Sequence, residues 1–120
     1  MTEHSNHQII TREKRGHIYL MGLNRPEKKN AFNLALLKEL SEALAELDSD
    51  PDLRVGVIFA HGDCFTAGLD LMDVAPAMAT GQAILAKDAI DPVCIHGKPC
   101  RKPLICGVHG VCFTFDIELM

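Results

Sequence analysis

An α/β layered fold is what this sequence predicts, and three stretches predict it. Leu36, Leu37, Leu40, Ala43, Leu44 and Leu47 recur at helical spacing, leaving Lys38, Glu39, Glu42 and Glu46 on the outer side. Val55 to Ala60 is apolar without alternation, the pattern of a strand covered on both faces in a parallel sheet. Leu104 to Val108 is a second apolar run of the same kind. A helix lying between strands of this sort is the layout of a layered domain.

In chain order, Gln8 to Glu13 and His17 to Leu23 are β-prone runs around Lys14-Arg15-Gly16, which reads as a hairpin turn with glycine at its special position. Asn24 to Asn30 is a polar, proline-containing loop. Asn33 suits the N-cap of the helix that follows, because its short side chain can accept from a first-turn N–H. Asp48-Ser49-Asp50-Pro51-Asp52 stops that helix. After the run Arg54 to Ala60 comes Phe65-Thr66-Ala67-Gly68-Leu69-Asp70, a glycine-containing turn with a helix expected from Asp70 onwards. Leu71, Met72, Val74 and Ala75 give that helix its apolar side, and Pro76 is expected to kink or end it. Gly81 to Ile90 is a candidate helix, and Asp91 to Lys98 a loop. Lys102-Pro103 leads into the second apolar strand, His109-Gly110 reads as a turn, and Thr114 to Met120 as a helix start.

The bulk numbers exclude several functions. The 120 residues fit one domain, with 48% hydrophobic and 23% charged residues, ordinary for a globular protein. A net charge of −4 argues against nucleic acid as a partner, since phosphate binding needs clustered Lys and Arg. No run is long enough for a membrane helix, and the polar N-terminus carries no secretory signal, so a cytoplasmic location is expected. The cysteines Cys64, Cys94, Cys100, Cys106 and Cys112 form no C-x-x-C pair, so metal or redox chemistry is the weakest reading and reduced, buried thiols are expected.

Two strand–turn–helix units, at Phe65 to Asp70 and near His109-Gly110, each aim backbone N–H groups from a helix start. Two such donors are what an oxyanion hole requires.

Three segments carry a family resemblance: Leu23 to Asn33, with its Asn24-Arg25-Pro26 and Asn30-Ala31; Phe65-Thr66-Ala67-Gly68-Leu69-Asp70; and Lys102 to Gly110, running on to Ile117-Glu118-Leu119. In this order and spacing the sequence resembles the crotonase superfamily, the enoyl-CoA hydratase/isomerase family. The resemblance implies a crotonase-like (ClpP/crotonase) spiral of repeated ββα units, with residues 1–120 as the N-terminal part of a single domain. It implies an acyl-CoA thioester substrate, no cofactor beyond the coenzyme A carried by that substrate, and a homotrimer or hexamer for a full-length relative. It places Arg25, Lys28 and Lys29, with Ala67, Gly68 and Asp70, against coenzyme A. The backbone N–H groups of Leu69 and Phe115 match the two oxyanion-hole donors. Glu118 matches the first of two acid–base glutamates in hydratase-type relatives; alone it would read as an exposed first-turn glutamate favoured by the helix dipole. Asp70 read by itself is a helix cap, and His96 and His109, with no nucleophile arranged beside them, read as structural.

The implied reaction is hydration of a 2-enoyl-CoA. Charge developing on the thioester oxygen is held by two preorganised donors, and losing one such donor costs roughly 3–4 kcal/mol of barrier. A carboxylate beside the water acts as general base. Two features depart from the family pattern. The sequence stops within the helix of Glu118, so the second glutamate is absent and little hydratase activity is expected of these residues alone. Asp116 stands where relatives carry small residues, and it brings a like charge towards the enolate. The competing readings are an isomerase or acyl-CoA hydrolase on the same scaffold, and an impaired or non-catalytic crotonase-like fragment that binds partners.

Overall fold

The computed structural model describes residues 8–80, 90 and 100–110. Four strands, β1 (Ile10–Arg15), β2 (Ile18–Leu23), β3 (Val55–Ala60) and β4 (Leu104–Cys106), form one sheet in the order β1-β2-β3-β4. β1 and β2 are the expected antiparallel hairpin, with Ile10 opposite Leu23 and Arg15 opposite Ile18. β2 and β3 run parallel, Ile18 opposite Val55 and Leu23 opposite Ala60, as do β3 and β4. The parallel pairing follows from the helix α1 (Leu34–Ser49) that crosses between β2 and β3.

α1 forms where its periodicity places it. Asn33 Oδ1 accepts from Leu36 N–H at 2.8 Å, and Leu36, Leu37, Leu40, Ala43, Leu44 and Leu47 are buried. Their neighbours in the core are Tyr19, Met21 and Leu23 of β2 and Ile58 of β3. The last turn is tied by Lys102, whose Nζ donates to Leu47 O at 2.7 Å and Asp50 O at 2.5 Å, satisfying carbonyls that the helix itself leaves open. Tyr19 is buried, and its hydroxyl donates to Glu46, whose carboxylate also pairs with Arg12 and Lys14. Burial, then the hydrogen bond to Glu46, push the Tyr19 pKa up to about 12.

Three expectations need correction. β3 is buried on one face, at Gly56, Ile58 and Ala60, but only half-buried on the other, at Val55, Val57 and Phe59, so among the described residues it is not covered on both sides. β4 ends at Cys106 instead of Val108, because the chain leaves the sheet after Gly107 N–H donates to Ile58 O and His109 O turns to accept from Phe65 N–H. Of the two outcomes expected at Pro76, ending the helix is overturned: α2 (Leu71–Ala79) runs on past it, with Thr80 N–H reaching Pro76 O at 3.3 Å. The candidate helix at 81–90 lies outside the described residues except for Ile90, a buried member of the core whose carbonyl accepts from Ser41 Oγ. The loop at 91–98 and the helix start at 114–120 also lie outside them. Cys64 is buried, and burial pushes the half-buried Cys106 thiol pKa up. Among the described residues no cluster of His, Cys, Asp and Glu could hold a metal ion, and no helix is long and apolar enough to cross a membrane.

Candidate active site

The loops leaving the carboxyl ends of β2 and β3 meet and hold each other through main-chain and polar side-chain bonds. After β2, Pro26–Lys28 makes a single 3-10 turn, and Lys29 and Asn30 follow with left-handed φ values of 52° and 55°. Asparagine is one of the few non-glycine residues that adopts this region readily. The conformation turns the Asn30 side chain inward, where it is 1% exposed and fully engaged. Its Oδ1 accepts from Arg25 N–H at 2.7 Å, and its Nδ2 donates to His61 O at 2.8 Å and Cys64 O at 3.0 Å. Thr66 is equally buried: its hydroxyl donates to Asn30 O at 2.6 Å and accepts from Gly68 N–H at 3.1 Å. Ala67 N–H donates to Lys29 O at 2.9 Å.

The turn after β4 closes against the same segment. Phe65 N–H donates to His109 O at 2.8 Å, and the His109 ring lies 2.9 Å from Gly62 O. Gly110 has φ +66°, and a Cβ there would lie 2.3 Å from Asp63 O, so only glycine permits this approach.

These contacts decide where the Leu69 amide points. Phe32 N–H donates to Gly68 O at 2.7 Å, and Asp70 N–H donates to Phe32 O at 2.8 Å, forming one parallel bridge between Phe32 and Leu69. A residue flanked in this way turns its own N–H away from the partner strand. Gly68, at φ +99°, provides the turn that a side chain would resist. Between Ala67 and Asp70, Leu69 N–H is the one amide with no acceptor among the described residues.

Asp70 precedes α2 as expected of a cap, but it does more. Arg25 Nη1 donates to Asp70 Oδ2 and to Ala31 O, both at 2.9 Å. The hydrogen bond and charge of Arg25, with smaller help from the Asp73 and Met72 amides, hold the Asp70 carboxyl below its usual range. Of the first-turn amides, Asp73 N–H donates to the Asp70 carbonyl at 3.0 Å, and the Asp70 carboxylate stands at the start of α2, where the sequence offered N–H groups to an incoming negative charge. Lys28 and Lys29 are exposed and form no ion pair among the described residues.

The structure thus brings Arg25 to Asp70, Lys29 to Ala67, and Gly68 and Leu69 to Phe32. Phe115, Asp116, Glu118 and His96 lie outside the described residues. Asn30 and Thr66, which fasten the two loops, lie in the segments that carry the resemblance but were given no role from the sequence. The physical signal for Asn30 was an asparagine inside a polar loop, a residue type suited to a left-handed turn.

Comparison with known proteins decides the family. The enoyl-CoA hydratase/isomerase family model matches residues 13–119. The chain belongs to the enoyl-CoA hydratase/isomerase family. Its fold is that of the crotonases: a probable enoyl-CoA hydratase/isomerase from Mycobacterium abscessus superposes with a TM-score of 0.89 at 40% identity, over 93% of this chain and 43% of that one. A mitochondrial Delta(3,5)-Delta(2,4)-dienoyl-CoA isomerase of Mus musculus is 32% identical over 130 aligned residues, taking in all of this chain and 40% of that protein. The enoyl-CoA hydratase EchA19 of Mycobacterium tuberculosis is 29% identical over 111 residues, 90% of this chain and 41% of its own length. The chain spans about 40% of the length of these curated relatives. In this family member the three matching segments supply the β2 loop, the Leu69 turn and the β4 turn.

Proposed function

We propose that this chain carries the thioester-binding half of an enoyl-CoA hydratase-type site. The observation that supports it is the Leu69 N–H, left without an acceptor among the described residues by the Phe32–Leu69 bridge. In the proposed reaction, Glu118 takes a proton from water as the water oxygen bonds to C3 of the enoyl group. The double-bond electrons move into the thioester, and the enolate oxygen is held by the Leu69 and Phe115 amides until the protonated Glu118 returns that proton to C2. A bound donor of this kind contributes because it is already aimed before charge develops. Lys28 and Lys29, exposed and without an ion pair among the described residues, face the phosphates of coenzyme A in this reading.

A second reading, an isomerase that shifts double bonds of a dienoyl-CoA, is favoured by the dienoyl-CoA isomerase relative aligned over the whole chain. It uses the same amides and differs in where protons are placed.

The test follows the ¹⁵N amide signals during titration with butanoyl-CoA and then, in a full-length protein that carries these residues, turnover of crotonyl-CoA and of a 3,5-dienoyl-CoA. The expected result is a downfield shift of Leu69 N–H on binding, with hydration of crotonyl-CoA lost in Glu118→Gln while binding persists. Faster turnover of the dienoyl thioester than of crotonyl-CoA moves the assignment to isomerase. An unmoved Leu69 signal when the thioester is bound rules out both.

A further inference from the structure

The geometry points to Arg25 as a positioning residue that clamps and neutralises Asp70 beside the Leu69 amide, not as a ligand for the phosphates of coenzyme A. This rests on the thioester reading of the site. Arg25 Nη1 holds Ala31 O and Asp70 Oδ2, each at 2.9 Å, so the guanidinium spans the Phe32–Leu69 bridge from the residue before Phe32 to the residue after Leu69. Its side chain is 14% exposed and that of Asp70 is 19% exposed, which leaves little of either for a ligand. The Arg25 backbone is fixed as well, its N–H donating to Asn30 Oδ1 and its carbonyl accepting from Lys28 and Asn30. Lys28 and Lys29 in the same loop are exposed and have neither restraint on their side chains.

The chemistry explains why such a clamp is needed. Asp70 immediately precedes α2, and its carboxylate stands one residue from the amide that must receive a developing negative charge. Unpaired, it would oppose that charge. Paired with a guanidinium, which cannot lose its proton, it presents a neutral unit. Arg25 thereby acts on the reaction through Asp70 and the Leu69 backbone without touching the substrate.

The test, made in a full-length protein that carries these residues, compares crotonyl-CoA with crotonyl-pantetheine, which lacks the nucleotide and its phosphates. Arg25→Met is expected to lower kcat about 10- to 100-fold for both thioesters, the scale of a small misplacement at a reacting centre, with KM nearly unchanged. Asp70→Asn introduced into Arg25→Met is expected to restore part of the rate, because it removes the bare carboxylate. Lys28→Met and Lys29→Met should show the opposite pattern, a higher KM for crotonyl-CoA and none for crotonyl-pantetheine. Without any thioester, the Asp70 carboxyl resonance should titrate below the ordinary range in the wild type and move up in Arg25→Met; identical titrations overturn the clamp. A loss confined to KM for crotonyl-CoA makes Arg25 a phosphate ligand and overturns the proposal. If the wild type neither binds nor turns over either thioester, the proposed function falls, and the role of Arg25 within it falls as well.

Discussion

The layer between α1 and the sheet and the loop cluster around Asn30 are both buried, yet they are held by opposite means. In the layer, Leu36, Leu40, Leu44 and Leu47 pack on Met21, Leu23 and Ile58 with no polar atom to satisfy. In the cluster, Asn30 and Thr66 are as deeply buried, and their role is to satisfy main-chain groups that the loops would otherwise leave unmet. Apolar packing sets where the elements lie; directional bonds set where one amide points. The first tolerates exchange of similar shapes, while the second depends on each donor and acceptor.

Truncation within the layer is the strongest way to break this contrast. Leu40→Ala removes a side chain that is 0% exposed and is expected to cost about 2–5 kcal/mol in urea unfolding, with the Leu69 amide signal unchanged in the protein that remains folded. Movement of Leu69 in that variant would show that packing, not the loop bonds, aims the amide.

Asn30→Ala sharpens the contrast from the other side. It strands the His61 and Cys64 carbonyls and the Arg25 N–H, and unpartnered buried groups cost roughly 1–3 kcal/mol. The stability loss is expected to be smaller than for Leu40→Ala, but the Leu69 signal should shift strongly. Amide spectra of the two variants, recorded together, separate the two kinds of burial.

The smallest expected effect is that of Tyr19 ionisation in alkali, which acts on the layer. Tyr19 has a pKa raised from about 10 to about 12 by burial and by Glu46. A group whose pKa rises on folding stabilises fully below its unfolded value, so this contribution is present below about pH 10 and is lost as pH climbs towards about 12. Urea midpoints measured across that window should fall more in the wild type than in Tyr19→Phe, with no selective change at Leu69.

Legibility in the sequence divides along the same line. α1 was readable because six apolar residues share one helical face and Asn33 stands at its start, both local signals. The parallel pairing of β2 and β3 was readable from an apolar run beyond a helix. The exact length of β4 was not, because the chain leaves the sheet after Gly107, whose N–H still donates to Ile58 O of β3, and turns so that His109 O meets Phe65 N–H, far away in sequence. The Leu69 turn was visible as a glycine-bearing stretch of a familiar pattern. The engagement of Arg25 with Asp70, 45 positions apart, was invisible, since a basic residue in a polar loop looks the same whether it faces a ligand or an internal carboxylate.

The start of α1 carries one more contact: Leu34 N–H donates to Asp73 Oδ2 of α2 at 2.8 Å. Each helix therefore begins against a carboxylate of this chain, Asp73 at α1 and Asp70 at α2. Neither macrodipole is left bare for a visiting anion. If the proposed function holds, recognition of a thioester oxygen at Leu69 depends on aim and distance instead of long-range attraction, and added salt should leave it almost untouched while it weakens whatever Lys28 and Lys29 hold.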